Sequence, residues 1–123
     1  MPWNFDNSIP IYLQIIQEMK RRIIRKELSP GERLASVRDL AKEAGVNPNT
    51  MQKALSELET EGLLETERTT GKFVTSDQKL ISALREAYLK ERLKPFLTEL
   101  YALGLSEEEL MTLIRSQYKE AKK

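Results

Sequence analysis

Leu34 to Leu58 reads LASVRDLAKEAGVNPNTMQKALSEL, and no other stretch of the chain restricts the fold so strongly. Ser36 is a good N-cap, and Asp39 three residues on predicts a capping box. Leu40, Ala41 and Ala44 form an apolar stripe at helical spacing. Gly45 stops that helix, because glycine takes the left-handed C′ conformation at no steric cost. Asn47 then caps a second helix, and Pro48 sits at its first position, where a missing N–H does no harm. Two short helices about a tight turn are the sequence form of a helix-turn-helix, whose second helix usually enters the DNA major groove.

The rest of the composition narrows the alternatives. The 123 residues suit one domain, or one domain with an appendage. Apolar residues make up 40% and charged ones 32%, at a net charge of +1, which fits a folded, helix-rich chain and not a disordered one. Acidic and basic side chains nearly balance both in 1–76 and in 77–123, so DNA binding depends on where the charges lie. Cysteine and histidine are absent, which removes disulfides, thiolate and imidazole metal ligands, and Cys–His or Ser–His–Asp catalysis. The carboxylates and lysines make no paired motif, and Gly-rich phosphate loops are missing. No catalytic residue, metal or cofactor is therefore expected. No apolar run approaches the roughly 18 residues of a membrane span. Met1-Pro2-Trp3 starts no signal peptide, so the expected location is the cytoplasm, with no membrane partner.

Residues 1–9 form an arm in which Trp3 and Phe5 are expected to pack on the domain. Ser8 is placed to cap a first helix over Pro10–Lys26, with Tyr12, Ile15, Ile16, Met19 and Ile23 on its apolar face. Its far end carries Lys20, Arg21, Arg22, Arg25 and Lys26, which either touch DNA phosphates or form a solvated face that suits a helix C-terminus. Past the motif, Gly62 ends the second helix. Leu63–Glu67 and Lys72–Thr75 read as a two-stranded hairpin with Thr69-Thr70-Gly71 near its tip, and Leu64, Phe73 and Val74 as candidates to face the core. A helix-turn-helix followed by a hairpin is a winged helix-turn-helix.

From Asp77 the helical pattern returns. Leu80, Ile81, Leu84, Tyr88, Leu89, Leu93, Phe96, Leu97, Leu100 and Leu103 cover more than one face, and Pro95 predicts a kink or break near Lys94. Gly104 is a stop, and Ser106 with Glu109 is a second capping box opening a helix through Leu110, Leu113, Ile114 and Tyr118. Two helices cannot bury that much apolar surface alone, so a second copy of the chain is expected to cover it. The fold class expected is α+β, mostly α: a winged helix-turn-helix over 1–76, then a short two-helix dimerisation tail over 77–123.

Several of these residues resemble the GntR family of bacterial repressors, in particular its short YtrA-like branch. The likeness begins at Ser8-Ile9-Pro10-Ile11-Tyr12-Leu13-Gln14. It continues through Gly31-Glu32-x-Leu34-x-Ser36-Val37-Arg38-x-Leu40-Ala41 and Val46-Asn47-Pro48-Asn49-Thr50-Met51-x-Lys53-Ala54. It closes with Leu58-x-x-x-Gly62 and Gly71-x-Phe73-Val74. Ala35, Leu55, Thr69 and Lys72 depart from the family's usual proline, tyrosine, glycine and threonine. The resemblance implies a winged helix-turn-helix, a homodimer, and repression at a palindromic double-stranded DNA operator. It leaves a small-molecule effector open.

On the second motif helix, about 47–61, the pattern puts Met51, Ala54, Leu55 and Leu58 on a core face. Asn49, Gln52 and Lys53 are the candidates for base edges, since Asn and Gln can bond adenine bidentately and Lys can donate to guanine. Thr50 lies in the first turn of that helix, where a phosphate fits, and the capping Asn47 is a further candidate for DNA contact. Ser36 suits a phosphate as well, although capping accounts for it alone. Arg38 stands first among the candidates, because the family's matching arginine contacts DNA; a salt bridge to Asp39 or Glu43 is its other reading. Arg68, Thr70, Gly71 and Lys72 belong to the wing, about 68–72. There the matching family glycine lets the backbone approach the minor groove, and a plain hairpin turn is the alternative. Two rival functions remain. Glu57, Glu59, Glu61, Glu65 and Glu67 would suit a module that binds protein or RNA, and an enzyme has little support.

Overall fold

The computed structural model describes residues 3–123; Met1 and Pro2 of the arm lie outside the described residues. The elements run α1 (Ile11–Ile24), α2 (Val37–Ala44), α3 (Pro48–Thr60), β1 (Leu64–Glu67), β2 (Gly71–Val74), α4 (Gln78–Ala102) and α5 (Glu107–Ala121). This is the mostly helical winged helix-turn-helix with two C-terminal helices that the sequence predicts. The chain forms two compact units, Met1–Arg85 and Glu86–Lys123, and α4 begins in the first and ends in the second.

The core of the first unit follows from helical periodicity. Ile15, Ile16, Met19 and Ile23 of α1, Leu40, Ala41 and Ala44 of α2, and Met51, Ala54, Leu55 and Leu58 of α3 are buried together. Leu34, Leu63, Leu64, Val74 and Ile81 close the cluster. Trp3 and Phe5 pack against it as expected, with ring centroids 6.0 Å apart.

Helix α1 is shorter than predicted and starts differently. Its N-cap is Pro10, without a side-chain cap, because the Ser8 hydroxyl donates to Asp6 Oδ1 at 2.7 Å. Gln14 ties the arm down instead. It accepts from Asp6 N at 2.8 Å and donates to the carbonyls of Asp6 at 2.7 Å and Ile9 at 2.9 Å.

The motif's turn chemistry is as read. Gly45 is left-handed at φ 72°, and Asn47 Oδ1 accepts from Asn49 N at 2.8 Å with Pro48 at the helix start. The box on α2 is only half formed: Ser36 Oγ accepts from Asp39 N at 3.1 Å, and among the described residues no return bond is made. At Ser106 both halves form, at 3.2 and 3.3 Å. Glu109 has one methylene more than Asp39, which gives it the reach to the cap's N–H.

In the hairpin, Leu64 pairs with Val74 and Glu65 with Phe73. Side chains alternate faces along a strand. Val74 therefore joins Leu64 in the core, and Phe73, expected there, stands half-buried on the other face. The segment before α2 adds to the free edge of β2: Arg33 bridges Phe73, Leu34 N donates to Lys72 O, and Val74 N donates to Glu32 O, both at 2.8 Å.

Of the kink or break expected near Lys94, no break occurs: α4 runs through Pro95. An internal proline costs about 3 kcal/mol, and the leucines, lysines, arginines and glutamates on both sides are strong helix formers. In the second unit the apolar surplus stays exposed. No residue of α5 is buried, and Leu93, Phe96, Leu113, Ile114 and Tyr118 all face solvent. Phe96, Leu110, Ile114 and Tyr118 line an apolar groove of about 540 Å³.

Candidate nucleic-acid interface

Helix α3 has two faces of opposite character. Met51, Ala54, Leu55 and Leu58 are fully buried, which anchors the helix. Asn49, Gln52, Lys53 and Ser56 are exposed on the other side, with Thr50 half-buried in the first turn. Gln52 Nε2 donates to Ser56 Oγ at 3.0 Å, so that amide is held along the helix surface. Lys53 Nζ sits 3.9 Å from the centre of the Tyr12 ring, a cation–π contact that steers the ammonium toward α1. Sequence reasoning missed this tether. The signal was present only as an aromatic at the start of α1, a position that also reads as core.

Ser36 and Arg38 stand exposed at the start of α2. Arg38 makes no ion pair with Asp39 or Glu43 among the described residues, so its structural alternative is not realised. On the hairpin, Arg68, Thr70 and Gly71 are exposed, and Gly71 takes φ 111°. Lys72 is different. Its ammonium donates to Glu59 Oε2 and Thr66 Oγ1, both at 3.0 Å. Thr66 also donates to Glu59, and that hydrogen bond, with those from Lys72, holds the Glu59 carboxyl below its ordinary range. A strut thus fixes the wing to the end of α3.

The structure brings two of the predicted groups together. Ser36, Arg68, Gly71 and Lys72 line one cleft of about 310 Å³ between the α2 start and the hairpin. Arg38 and the α3 set lie outside it. Arg33 lines the cleft too and was not foreseen.

The basic end of α1 is largely committed to partners. Lys20 pairs with Glu61 at 3.0 Å. Arg21 and Arg22 pair with Glu18 at 2.7 and 2.9 Å, and Arg22 also lies 4.3 Å from the Trp3 ring. Burial pushes the Glu18 carboxyl up, but the two arginines outweigh it and hold it low.

A sequence model of the bacterial regulatory proteins of the gntR family matches residues 11–74. The chain belongs to this family. It is 40% identical to the HTH-type transcriptional regulator YhcF of Bacillus subtilis, over 91% of this chain and 93% of that one. It is 39% identical to the HTH-type transcriptional repressor YtrA of the same organism, over 89% and 85%. Among solved structures, a GntR family transcriptional regulator from Listeria monocytogenes superposes with a TM-score of 0.84 at 36% identity, covering 91% of this chain and 98% of that one. The DNA-binding domain of AraR, solved in complex with operator ORX1, superposes with a TM-score of 0.53 at 25% identity, over 61% and 92%. These relatives are transcriptional regulators and not enzymes. No helix among the described residues is long and apolar enough to cross a membrane.

Proposed function

We propose that this GntR-family regulator is a cytoplasmic, dimeric repressor that binds a palindromic DNA operator. The observation that carries the reading is the division of α3 into a fully buried apolar face and an exposed Asn49–Gln52–Lys53 face. Such a helix is rigidly held yet free to enter a major groove, where amide and ammonium groups read base edges. Asn47 and Thr50 at its start, with Ser36 and Arg38 on α2, serve phosphates or, for Arg38, a guanine. Arg68, Thr70 and Gly71 serve the minor groove, and Lys72 reaches DNA only by leaving Glu59. The apolar groove on the second unit is the surface for the other protomer, and a two-fold dimer reads an inverted repeat. Support for repression and operators comes from what YtrA and AraR are.

Selection of duplexes from a random library on the full chain tests the proposal. The expected result is an enriched inverted repeat, bound with steep salt dependence. Recovery of no shared sequence, together with preference for single-stranded RNA over duplex, would overturn it. The protein- and RNA-binding alternative has lost support, because Glu59 and Glu61 of the acidic side are engaged by Lys72 and Lys20.

A further inference from the structure

We infer that the cleft between the hairpin and α2 is a seat for one DNA phosphodiester, and that Arg33 is the cation that serves it. The inference rests on the DNA reading above and adds to it a site and a residue.

Arg33 reaches the cleft through backbone pairing. It bridges Phe73 on the edge of β2, and Leu34 beside it is buried. Alternation along an extended segment then turns Arg33 outward. Its guanidinium runs along the Gly71 backbone: a β-carbon at Gly71 would lie 3.5 Å from Arg33 Nε. The wing beside its tip and the guanidinium are therefore one surface.

The cations around the cleft are not equivalent. Lys72 is neutralised locally by Glu59 at 3.0 Å. Arg33 has no hydrogen bond or ion pair among the described residues, and Glu67, the carboxylate in the lining, does not pair with it. Arg68 adds a second cation at the rim. An unpaired guanidinium has a planar fork of donors that matches two oxygens of a phosphate.

Position supplies the rest. Under the proposed docking, α3 enters the major groove and the hairpin approaches the minor groove. The sugar–phosphate strand that separates the two grooves must then pass between these elements. The cleft lies between the hairpin and the helix that precedes α3, beside that strand's course. Arg33 thus meets the backbone and positions the protein without reading sequence.

The test uses the full chain, Arg33→Ala and Arg33→Lys, titrated with a mixed-sequence duplex at several salt concentrations. Thermal melting of all three proteins checks folding. Arg33→Ala is expected to weaken binding roughly tenfold per half-site. It should also flatten the log–log salt slope by about 0.9 per lost contact, so about 1.8 for a symmetric dimer. Arg33→Lys, which keeps the charge, should retain the wild-type slope. A wild-type slope in Arg33→Ala overturns the seat alone and leaves the DNA reading standing. Equal losses in both variants with a lowered melting temperature also overturn it, since they assign Arg33 to wing stability. A wild-type protein that binds duplex with no salt dependence removes the DNA reading, and the seat with it.

Discussion

Lys53 and Leu58 stand five residues apart on α3 and carry opposite duties. Leu58 is fully buried among helices, so Leu58→Ala should cost roughly 2–4 kcal/mol through lost contacts and a cavity. Lys53 is exposed and meets the Tyr12 ring, and an exposed cation–π contact contributes about 0.5–1 kcal/mol. Lys53→Ala should therefore leave urea unfolding almost unchanged while weakening duplex binding. Denaturation and titration on both variants check this. A harmless Leu58→Ala, or an unfolded Lys53→Ala, would show that the faces of α3 are misassigned. The two faces were legible in the sequence because a 3.6-residue period marks them over several turns. Arg33 was not legible. Its placement depends on a pairing with Phe73, forty residues on, and a two-residue alternation has no period to read.

At the scale of elements, helix ends were the most legible feature, and one end departs from the pattern. The ends of α2, α3 and α4 share a motif. In each, a left-handed glycine (Gly45, Gly62, Gly104) lets two successive N–H groups bond back to the last turn. The end of α1 makes the same bonds, Lys26 N to Ile23 O and Glu27 N to Arg22 O, but with lysine at φ 63°. A side chain in that conformation costs about 1 kcal/mol or more. Lys26→Gly should thus raise stability by roughly 0.5–1 kcal/mol, after the glycine's larger unfolded-state entropy is counted. A loss of stability on chemical denaturation would count against this account of the cap. The strut between α3 and the wing has its own signature. The Thr66 hydroxyl and then Lys72 hold the folded-state Glu59 pKa below the ordinary 4.5. Its contribution is therefore complete above that value and is lost as pH falls through the lowered one. The stability gap between wild type and Glu59→Gln should be full near neutrality and close in acid; a gap independent of pH would remove the strut. Neither the strut nor the Ser8–Asp6 bond was legible, since each is a choice among nearby polar partners. At Pro95 the local penalty was clear, but whether it breaks a helix depends on the turns on either side, and α4 continues through it.

For the whole molecule, the decisive fact is an apolar surface with nothing in its own unit to cover it. Phe96, Leu113, Ile114 and Tyr118 are exposed by 52%, 49%, 38% and 64%, and α5 contributes no buried residue. The first unit needs none of them, because its core is complete by Leu84. Separating the protomers of the proposed dimer should accordingly leave that unit folded. Ile114→Glu puts a carboxylate into the groove, where a protomer's apolar face would have to desolvate it. We expect light scattering at tens of micromolar to give twice the chain mass for wild type and the single mass for Ile114→Glu, since a stable dimer buries on the order of 1,600 Å². The variant should keep its helical circular dichroism and the melting of the first unit. Its operator affinity should still fall, by about 10²–10⁴, because the second half-site is no longer engaged intramolecularly. Binding to a single half-site should barely change. This pairing separates the surface's two roles: a variant that stays dimeric would place the interface elsewhere, and a monomer that keeps full operator affinity would mean that DNA recognition needs only one winged helix.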